Sequence, residues 1–303
     1  MRPMLWVLLS LWAGLSPGRF PAGYRHVDGV DLWYPSKTAG APMHFRDYLG
    51  TSAPELEKFL SERGISPDGI ASFVDAHVYA TRDAIATKGR YPLVLIAQGN
   101  AQDAADQAVL AEFLASHGYV VASVPSPMKN HPMTDESQIG AFAEEQASAL
   151  EHARHVASRV MHIQKNRQAV IGHSFGARSA LLLAARDRNI RAIVSLDGGI
   201  GTATGNQYLK LDRHAKLPPL LHIYEELDPF MKPDFTFLNG LRTASLTTTP
   251  TTDMHHIHFT TYGFAAAAIP EIATVTKAGP HIRESVAGTA QAVLRFLDEQ
   301  TSK

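Results

Sequence analysis

The sequence contains no cysteine, and this absence removes several kinds of chemistry from its 303 residues. A chain without cysteine has no disulfide, no thiolate zinc site, no cysteine nucleophile and no lipid attached through a thiol. The sequence also lacks an excess of either charge, because 28 Lys and Arg residues are balanced by 29 Asp and Glu residues. Recognition of phosphate backbones depends on a clear excess of positive charge, so we expect no nucleic-acid partner.

Long apolar runs are missing too, since none reaches the roughly 20 residues that a membrane-spanning helix needs. The longest run, residues 4–15, follows Arg2 and precedes a stretch of small residues with Pro17-Gly18. This order is typical of a signal peptide, although a strand or helix packed in the core is the alternative. We therefore predict a signal peptide over residues 1–22, one domain over residues 23–303, and a periplasmic or secreted protein whose mature chain has no membrane span.

The rest of the chain alternates short apolar runs with longer amphipathic stretches. The apolar runs have the length of strands and occupy residues 91–97, 119–124, 169–171, 192–196 and 220–224. The amphipathic stretches have helical spacing and occupy residues 103–117, 139–163, 177–185 and 283–299. Continuous apolar strands must be covered on both faces, so we predict an α/β fold with a doubly wound, mostly parallel sheet and helices on both faces.

The segment before this region is less regular. Residues 24–34, with the turn pair Asp28-Gly29, predict two antiparallel strands at the edge of the sheet. Residues 53–63 predict a short helix that ends at Gly64.

A glycine-flanked serine, Gly172-His173-Ser174-Phe175-Gly176, stands where a predicted strand passes into a predicted helix. A nucleophile on such a sharp turn takes a strained backbone conformation, and the flanking glycines relieve crowding between the strand and the helix. The alternative is a glycine-rich turn in which Ser174 only caps the helix. We favour a nucleophilic serine because the strand and the helix are both present.

These residues resemble the α/β-hydrolase superfamily, in particular the plasma-type platelet-activating-factor acetylhydrolases and dienelactone-hydrolase-like serine esterases. The elbow of the acetylhydrolases commonly reads Gly-His-Ser-Phe-Gly, and the resemblance extends over roughly residues 90–262. It implies a catalytic triad, in which a base activates Ser174 and an acid orients the base. The acid implied by that family is Asp197, after the strand over 192–196. Many other α/β-hydrolases have their acid after the next strand, which leaves Asp228 or Glu226 as alternatives.

The implied base lies in a cluster of histidines near residue 256. The family pattern His-x-x-Phe fits His256 and Phe259, whereas a His-Phe pattern selects His258, and His255 is a third candidate. The chain order Ser, Asp, His agrees with a base in this region.

The oxyanion hole requires two backbone N–H groups. The resemblance assigns one to Phe175, directly after the nucleophile, and the other to Asn100, in the loop after the strand over 91–97. The family usually has His-Gly in that loop, where this sequence has Gln98-Gly99. Because the donor is a main-chain N–H group, the change from histidine to Gln98 does not remove it.

The predicted function is hydrolysis of carboxylic esters by a serine hydrolase, through an acyl-enzyme and without cofactor or metal. The expected partner is a small-molecule ester with a short- or medium-chain acyl group, or an ester of phospholipid type. The aromatic loop over 229–238 is a candidate wall of the substrate pocket. Three alternatives remain: a serine peptidase or amidase, a non-catalytic binding protein, and a metal site formed by Asp253, His255, His256 and His258.

Overall fold

The computed structural model describes residues 11–12, 14–212 and 214–301. Within these residues one sheet is formed by strands β1 (Ala22–Val27), β2 (Val30–Pro35), β3 (Ala41–His44), β4 (His77–Arg82), β5 (Tyr91–Ala97), β6 (Val120–Ser123), β7 (Ile163–His173), β8 (Ile190–Leu196), β9 (Leu220–Tyr224) and β10 (Leu246–Pro250). The strands lie in the order β10, β9, β8, β7, β5, β6, β2, β1, β4, β3. Strands β5 to β10 run parallel, which confirms the predicted, mostly parallel sheet.

Helices cover both faces of this sheet, as predicted. They are α1 (Phe45–Leu49), α2 (Ala53–Ser61), α3 (Pro67–Val74), α4 (Ala108–Ser116), α5 (Ile139–Val160), α6 (Gly176–Arg186), α7 (Thr236–Asn239), α8 (Thr261–Ala268), α9 (Pro270–Val275) and α10 (Ile282–Thr301). Helices α4, α8 and α10 contribute to one hydrophobic core, while α5 and α6 contribute to the other.

Strand β5 shows why a central strand of this sheet has a continuous apolar run. Its residues Val94 and Ile96 belong to one core, and Leu93 and Leu95 belong to the other. Side chains of a strand alternate between the two faces of a sheet, so a strand covered on both faces favours apolar residues at consecutive positions. All four side chains are fully buried.

The predicted hairpin is present, but its predicted place at the edge of the sheet is wrong. Strands β1 and β2 pair in antiparallel fashion around Asp28 and Gly29, which both have a positive φ. β2 also pairs with β6, and β1 pairs with β4, so the hairpin lies inside the sheet. Strands β3 and β4 form that edge instead.

The opposite edge was not predicted from the sequence either. Strand β10 reads Leu-Thr-Thr-Thr-Pro and is half-buried or exposed throughout. It therefore lacks the apolar signal on which a strand prediction depends. Its parallel pairing with β9 places the chain at the carboxyl end of the sheet, just before the histidine cluster.

The described end of the predicted leader packs against the domain. Leu11 is buried, and Trp12 stacks on Tyr79 with ring centroids 4.2 Å apart. The indole N–H of Trp12 also donates to the buried carboxylate of Glu112 at 2.6 Å. Residues 1–10 and 13, which carry most of the predicted leader, lie outside the described residues. Among the helices of the described part, none combines the length and the hydrophobicity that crossing a membrane requires.

Candidate active site

Ser174 lies on the sharp turn between β7 and α6, with a backbone φ of 53°. A non-glycine residue is strained in this left-handed region. The two flanking glycines are required by close packing. A Cβ atom at Gly172 would lie 2.4 Å from Cα of Ala177, and one at Gly176 would lie 2.2 Å from the carbonyl oxygen of Ala97. The turn therefore projects the Ser174 hydroxyl beyond the end of the sheet.

Two further side chains meet Ser174 at this end of the sheet. Nε2 of His256 lies 2.9 Å from Oγ of Ser174, and Nδ1 of His256 lies 2.6 Å from Oδ2 of Asp197. Asp197 directly follows β8, while His256 begins a short 3-10 turn after β10. When Nδ1–H donates to the carboxylate, Nε2 is free to accept the serine proton. The structure thus brings together the three residues that the sequence singled out first.

The environment of Asp197 balances two opposed effects. Its side chain is only 2% exposed, and this burial raises the pKa of Asp197. The hydrogen bond and the charge of His256 lower the same pKa, as does a hydrogen bond from the backbone N–H of Glu225 at 3.2 Å. Burial is the larger effect. The carboxylate therefore depends on its partners to stay ionised, which favours a strong interaction with His256.

The alternative acids lie elsewhere. Asp228 accepts a hydrogen bond from the backbone N–H of His256 at 2.8 Å and contacts Nδ1 of His255 at 2.9 Å. It therefore touches the main chain of His256 rather than its ring. Glu226 is exposed.

In the part of the chain that the structure describes, the alternative bases His255 and His258 have other hydrogen-bond partners than Ser174. His258 is 1% exposed; its Nδ1 accepts from the backbone N–H of His255 and its Nε2 lies 2.8 Å from Oγ1 of Thr276. Burial lowers the pKa of His258 to about 4, so the ring is neutral near pH 7. His258 thus fixes the loop that carries His256.

His173, the second residue of the elbow, is a site residue that the sequence analysis missed. Its buried ring stacks on His256, its Nδ1 lies 2.9 Å from Oε1 of Gln102, and its Nε2 lies 3.3 Å from the carbonyl oxygen of His256. Gln102 also accepts the backbone N–H of Gly99 at 2.6 Å. Its position inside the elbow was the only signal for His173, and sequence alone does not say which way that side chain points.

Of the two residues predicted for the oxyanion hole, one follows Ser174 in the chain and the other lines the same cleft. Phe175 immediately precedes α6, and Asn100 lines the same cleft as Ser174 in the loop after β5. Gln98, where the family usually has histidine, is fully buried and donates to Oγ of Ser123 at 2.8 Å. Gln98 thus anchors the loop inside the protein, and its side chain does not enter the cleft.

A cleft of about 910 Å³ opens over Ser174 and His256. One wall is the face of α2 that carries Leu56, Phe59 and Leu60. These positions lie on one side of the helix, because residues three and four apart share a face. The cleft therefore has an apolar strip on α2, beside Glu55 of the same helix, and polar groups at the triad.

The aromatic loop over 229–238 divides between two places. Phe230 and Met231 line the cleft, and the ring of Phe230 meets that of His256 edge-on at a centroid distance of 5.4 Å. Phe235 packs instead on Tyr224, and Phe237 lines a separate cavity of about 500 Å³. Only the first part of the loop belongs to the pocket for which the sequence made it a candidate.

Within the described residues, the four residues weighed as a metal site form no group whose ligand atoms could share one ion. His256 is engaged by Ser174 and Asp197, and His258 by Thr276. A different trio, Glu225, Asp228 and His255, has ligand atoms within 4.8 Å of one another. Each of these three side chains already has a hydrogen-bond partner in the loop.

Known proteins are similar to parts of this sequence and to its overall fold. The chlorophyllase family model matches residues 83–210. Cutinase 1 of Thermobifida cellulosilytica is 30% identical over 139 residues, which is 45% of this chain and 49% of the relative. A cutinase of Thermobifida fusca (strain YX) is also 30% identical over 139 residues, or 43% of its length. The chain thus spans about half the length of these curated relatives.

A solved structure matches nearly the whole chain. The ferulic acid esterase from Streptomyces cinnamoneus superposes with a TM-score of 0.68 and 22% identity, over 95% of this chain and 93% of that one. This chain has the α/β-hydrolase fold. The superfamily resemblance is confirmed, whereas the narrower resemblance to the acetylhydrolases stays a prediction. Within this fold, the stretch matched by the family model includes Ser174 and Asp197 and ends before His256.

Proposed function

We propose that this chain is a serine hydrolase that cleaves carboxylic esters. The observation that carries the proposal is the continuous hydrogen-bonded path from Asp197 through His256 to Ser174, which ends in an open cleft. This is the arrangement that turns a weakly nucleophilic hydroxyl into an active nucleophile. The relatives are called cutinases and a ferulic acid esterase, and these names support ester chemistry.

In the proposed reaction, Oγ of Ser174 attacks the ester carbonyl carbon while Nε2 of His256 takes the hydroxyl proton. The tetrahedral intermediate then breaks its bond to the alcohol, which leaves with the proton from His256. Water then attacks the acyl-enzyme carbonyl and gives a proton to His256. The second tetrahedral intermediate breaks its bond to Oγ of Ser174, His256 returns the proton to that oxygen, and the carboxylic acid leaves. Asp197 holds the imidazole in the required tautomer and stabilises its positive charge throughout.

The negative oxygen of the intermediate needs donors that are already in place. We assign this role to the backbone N–H groups of Phe175 and Asn100. Ala101, next to Asn100, has a φ of 55°, and Gln102 accepts the N–H of Gly99, so this loop is tightly turned. A turned loop with an internal hydrogen bond loses little freedom when substrate binds.

The apolar wall suggests the kind of ester. Helix α2 has nine residues and is about 13 Å long. Its apolar face accommodates a short- or medium-chain acyl group along the cleft, and an ester of phospholipid type is the larger alternative. Burying such a chain contributes about 0.8 kcal/mol per CH₂ group.

Export to the periplasm or the medium is also part of the proposal, with residues 1–22 as leader and residues 23–303 as the domain. N-terminal sequencing of protein from separated cell fractions tests it. Full-length protein found only inside the cell would contradict export. A mature chain that begins at residue 23 would lack the contacts of Trp12, so its melting temperature is expected to be lower than that of the full chain.

Labelling with a fluorophosphonate probe, followed by peptide mapping, tests the nucleophile. We expect one modified residue, Ser174, and no labelling of Ser174→Ala with an unchanged melting temperature. Matched p-nitrophenyl esters and p-nitroanilides then separate esterase from amidase activity. Folded protein that is neither labelled nor active on any ester would sink the proposal.

A further inference from the structure

We propose that Asp228 is a positioning residue for catalysis, which fixes the main chain of His256 so that its ring stays in line with Ser174. This inference rests on the proposed function and adds a residue to it. Asp228 follows β9, at the place where many α/β-hydrolases have their triad acid. Here its carboxylate accepts a hydrogen bond from the backbone N–H of His256 instead of contacting the His256 ring.

The contacts of Asp228 are divided between two consecutive residues. One carboxylate oxygen accepts the backbone N–H of His256 at 2.8 Å, and the other lies 2.9 Å from Nδ1 of His255. Both contacts fix the start of the 3-10 turn that carries the base. A carboxylate that receives two donors in this way makes stronger and more directional bonds than a neutral acceptor.

Asp228 is itself held by a second carboxylate. The buried side chain of Glu225 accepts the backbone N–H groups of Leu227 and Asp228. The backbone N–H of Glu225 in turn donates to Oδ1 of Asp197 at 3.2 Å. The turn after β9 therefore hydrogen-bonds to the proposed triad acid through Glu225 and to the proposed base through Asp228.

His256 needs this support because the sheet does not provide it. It lies beyond β10 in a 3-10 turn, outside the strands, and follows a loop in which Asp253 has a φ of 62°. A displacement of about 1 Å in a catalytic group can cost about 100-fold in rate. Loss of the two Asp228 contacts is thus expected to lower the fraction of molecules in which His256 is aligned with Ser174, without changing the apolar wall on α2.

The experiment compares Asp228→Ala with Asp228→Asn in the full chain, on one p-nitrophenyl ester. Alanine removes both contacts, so we expect kcat to fall about 100-fold, KM to stay within threefold, and fluorophosphonate labelling to slow in parallel. Asparagine keeps an oxygen for the N–H of His256, and its NH₂ group can donate to Nδ1 of His255 in the other tautomer. It is expected to restore kcat to within about fivefold of the wild type. Glu226→Ala, an equal charge change at an exposed position of the same turn, is the matched control.

Melting temperatures and activity at low temperature separate positioning from folding. The proposal is overturned if Asp228→Ala keeps kcat within threefold, if asparagine is as impaired as alanine, or if the loss only follows the unfolded fraction. An active Asp197→Asn beside an inactive Asp228→Asn would make Asp228 the triad acid instead. If wild-type Ser174 is not labelled and no ester is cleaved, the proposed function itself fails. Normal labelling with an unimpaired alanine variant overturns the positioning role alone.

Discussion

The imidazole ring of His173 lies nearly flat against that of His256, with ring centroids 4.8 Å apart and planes inclined by 28°. Burial lowers the pKa of His173 well below its ordinary value, and the neighbouring charge of His256 lowers it further. His173 therefore stays neutral when His256 takes up a proton, and it presents a flat surface to that ring without repelling it.

We expect His173→Ala to lower kcat about tenfold with little change in KM, because the ring of His256 loses its support on one face. His173→Phe keeps a ring at that position and should recover part of the loss, although it cannot contact Gln102. Steady-state kinetics with melting curves measure both. An alanine variant as active as the wild type would show that the stacking is incidental.

Replacement of Asp197 by Asn should reduce kcat by about 10³ to 10⁴-fold, since an amide no longer holds His256 in the productive tautomer. KM is expected to change little, because Asp197 lies behind the base and away from the cleft. The melting temperature should fall only slightly. Burial raises the pKa of Asp197, which means that burying its charge costs stability, and a neutral asparagine does not have this cost. Single-turnover acylation rates check the prediction, and a variant with more than a tenth of wild-type kcat would contradict it.

Two buried histidines predict loss of stability in acid. Burial lowers the pKa of both His222 and His258 from 6.5 to about 4. Because their pKa values are lower in the folded chain than in the unfolded one, their contribution is complete above pH 6.5 and is lost as the pH falls toward 4. Each contributes up to about 3 kcal/mol.

Urea unfolding between pH 7.5 and 4.5 measures this effect. His258→Gln and His222→Gln should each flatten the dependence of unfolding free energy on pH by about one proton. Arg46→Gln, which removes an exposed charge paired with Glu57 and Asp75, should leave the slope as it is. Equal slopes in all four proteins would contradict the prediction.

A carboxyl beside the cleft predicts the opposite trend. Burial raises the pKa of Asp106 from 3.8 to about 6, while its hydrogen bond with the N–H of Asp103 opposes the shift. The folded chain thus favours the protonated carboxyl, so this contribution is full below pH 3.8 and is lost as the pH rises to 6. Asp106→Asn should gain about 1–3 kcal/mol at pH 8 and nothing at pH 4. Urea unfolding at both pH values tests it, and a variant that is less stable at pH 8 would refute the argument.

The α2 wall predicts selectivity for chain length. Phe59 is 41% exposed on the cleft face of α2, so Phe59→Ala should raise KM about three- to tenfold for p-nitrophenyl octanoate and leave the acetate unchanged. Ile85→Ala serves as the control, because Ile85 is 66% exposed and does not line the cleft. A uniform change for both esters in the Phe59 variant would show that the acyl chain does not bind there.

The sequence predicted the parts of this fold whose burial leaves a strong pattern. Strand β5 and strand β9 were predicted to the residue, because both are mostly apolar and mostly buried; His222 is the one polar, buried exception in β9. Strands β4 and β10 are half-buried, with threonine or histidine among their residues, and carry no such pattern. The hairpin was recognised from Asp28-Gly29, but its neighbours in the sheet depend on long-range pairing that local residues do not encode.

The same division applies to the site. Ser174 was found because a strained turn demands glycines around it, and Asp197 and His256 were chosen through a family resemblance. The roles of Asp228 and His173 arise from contacts to the backbone of His256, and a residue type gives no indication of such contacts. The apolar wall on α2 was predicted only as a helix, since its exposure to the cleft depends on how residues 45–74 pack over the sheet.

The proposed machinery and the wall are carried by separate stretches of chain. Helices α1, α2 and α3 lie between β3 and β4, outside residues 83–210 that the chlorophyllase family model matches. Residues 45–74 thus carry the wall but none of the residues proposed for the triad or the oxyanion hole. This segment is therefore a unit that protein engineering can exchange. Replacing residues 45–74 by the corresponding segment of another esterase with this fold should change the preference for acyl-chain length and leave the catalytic residues in place.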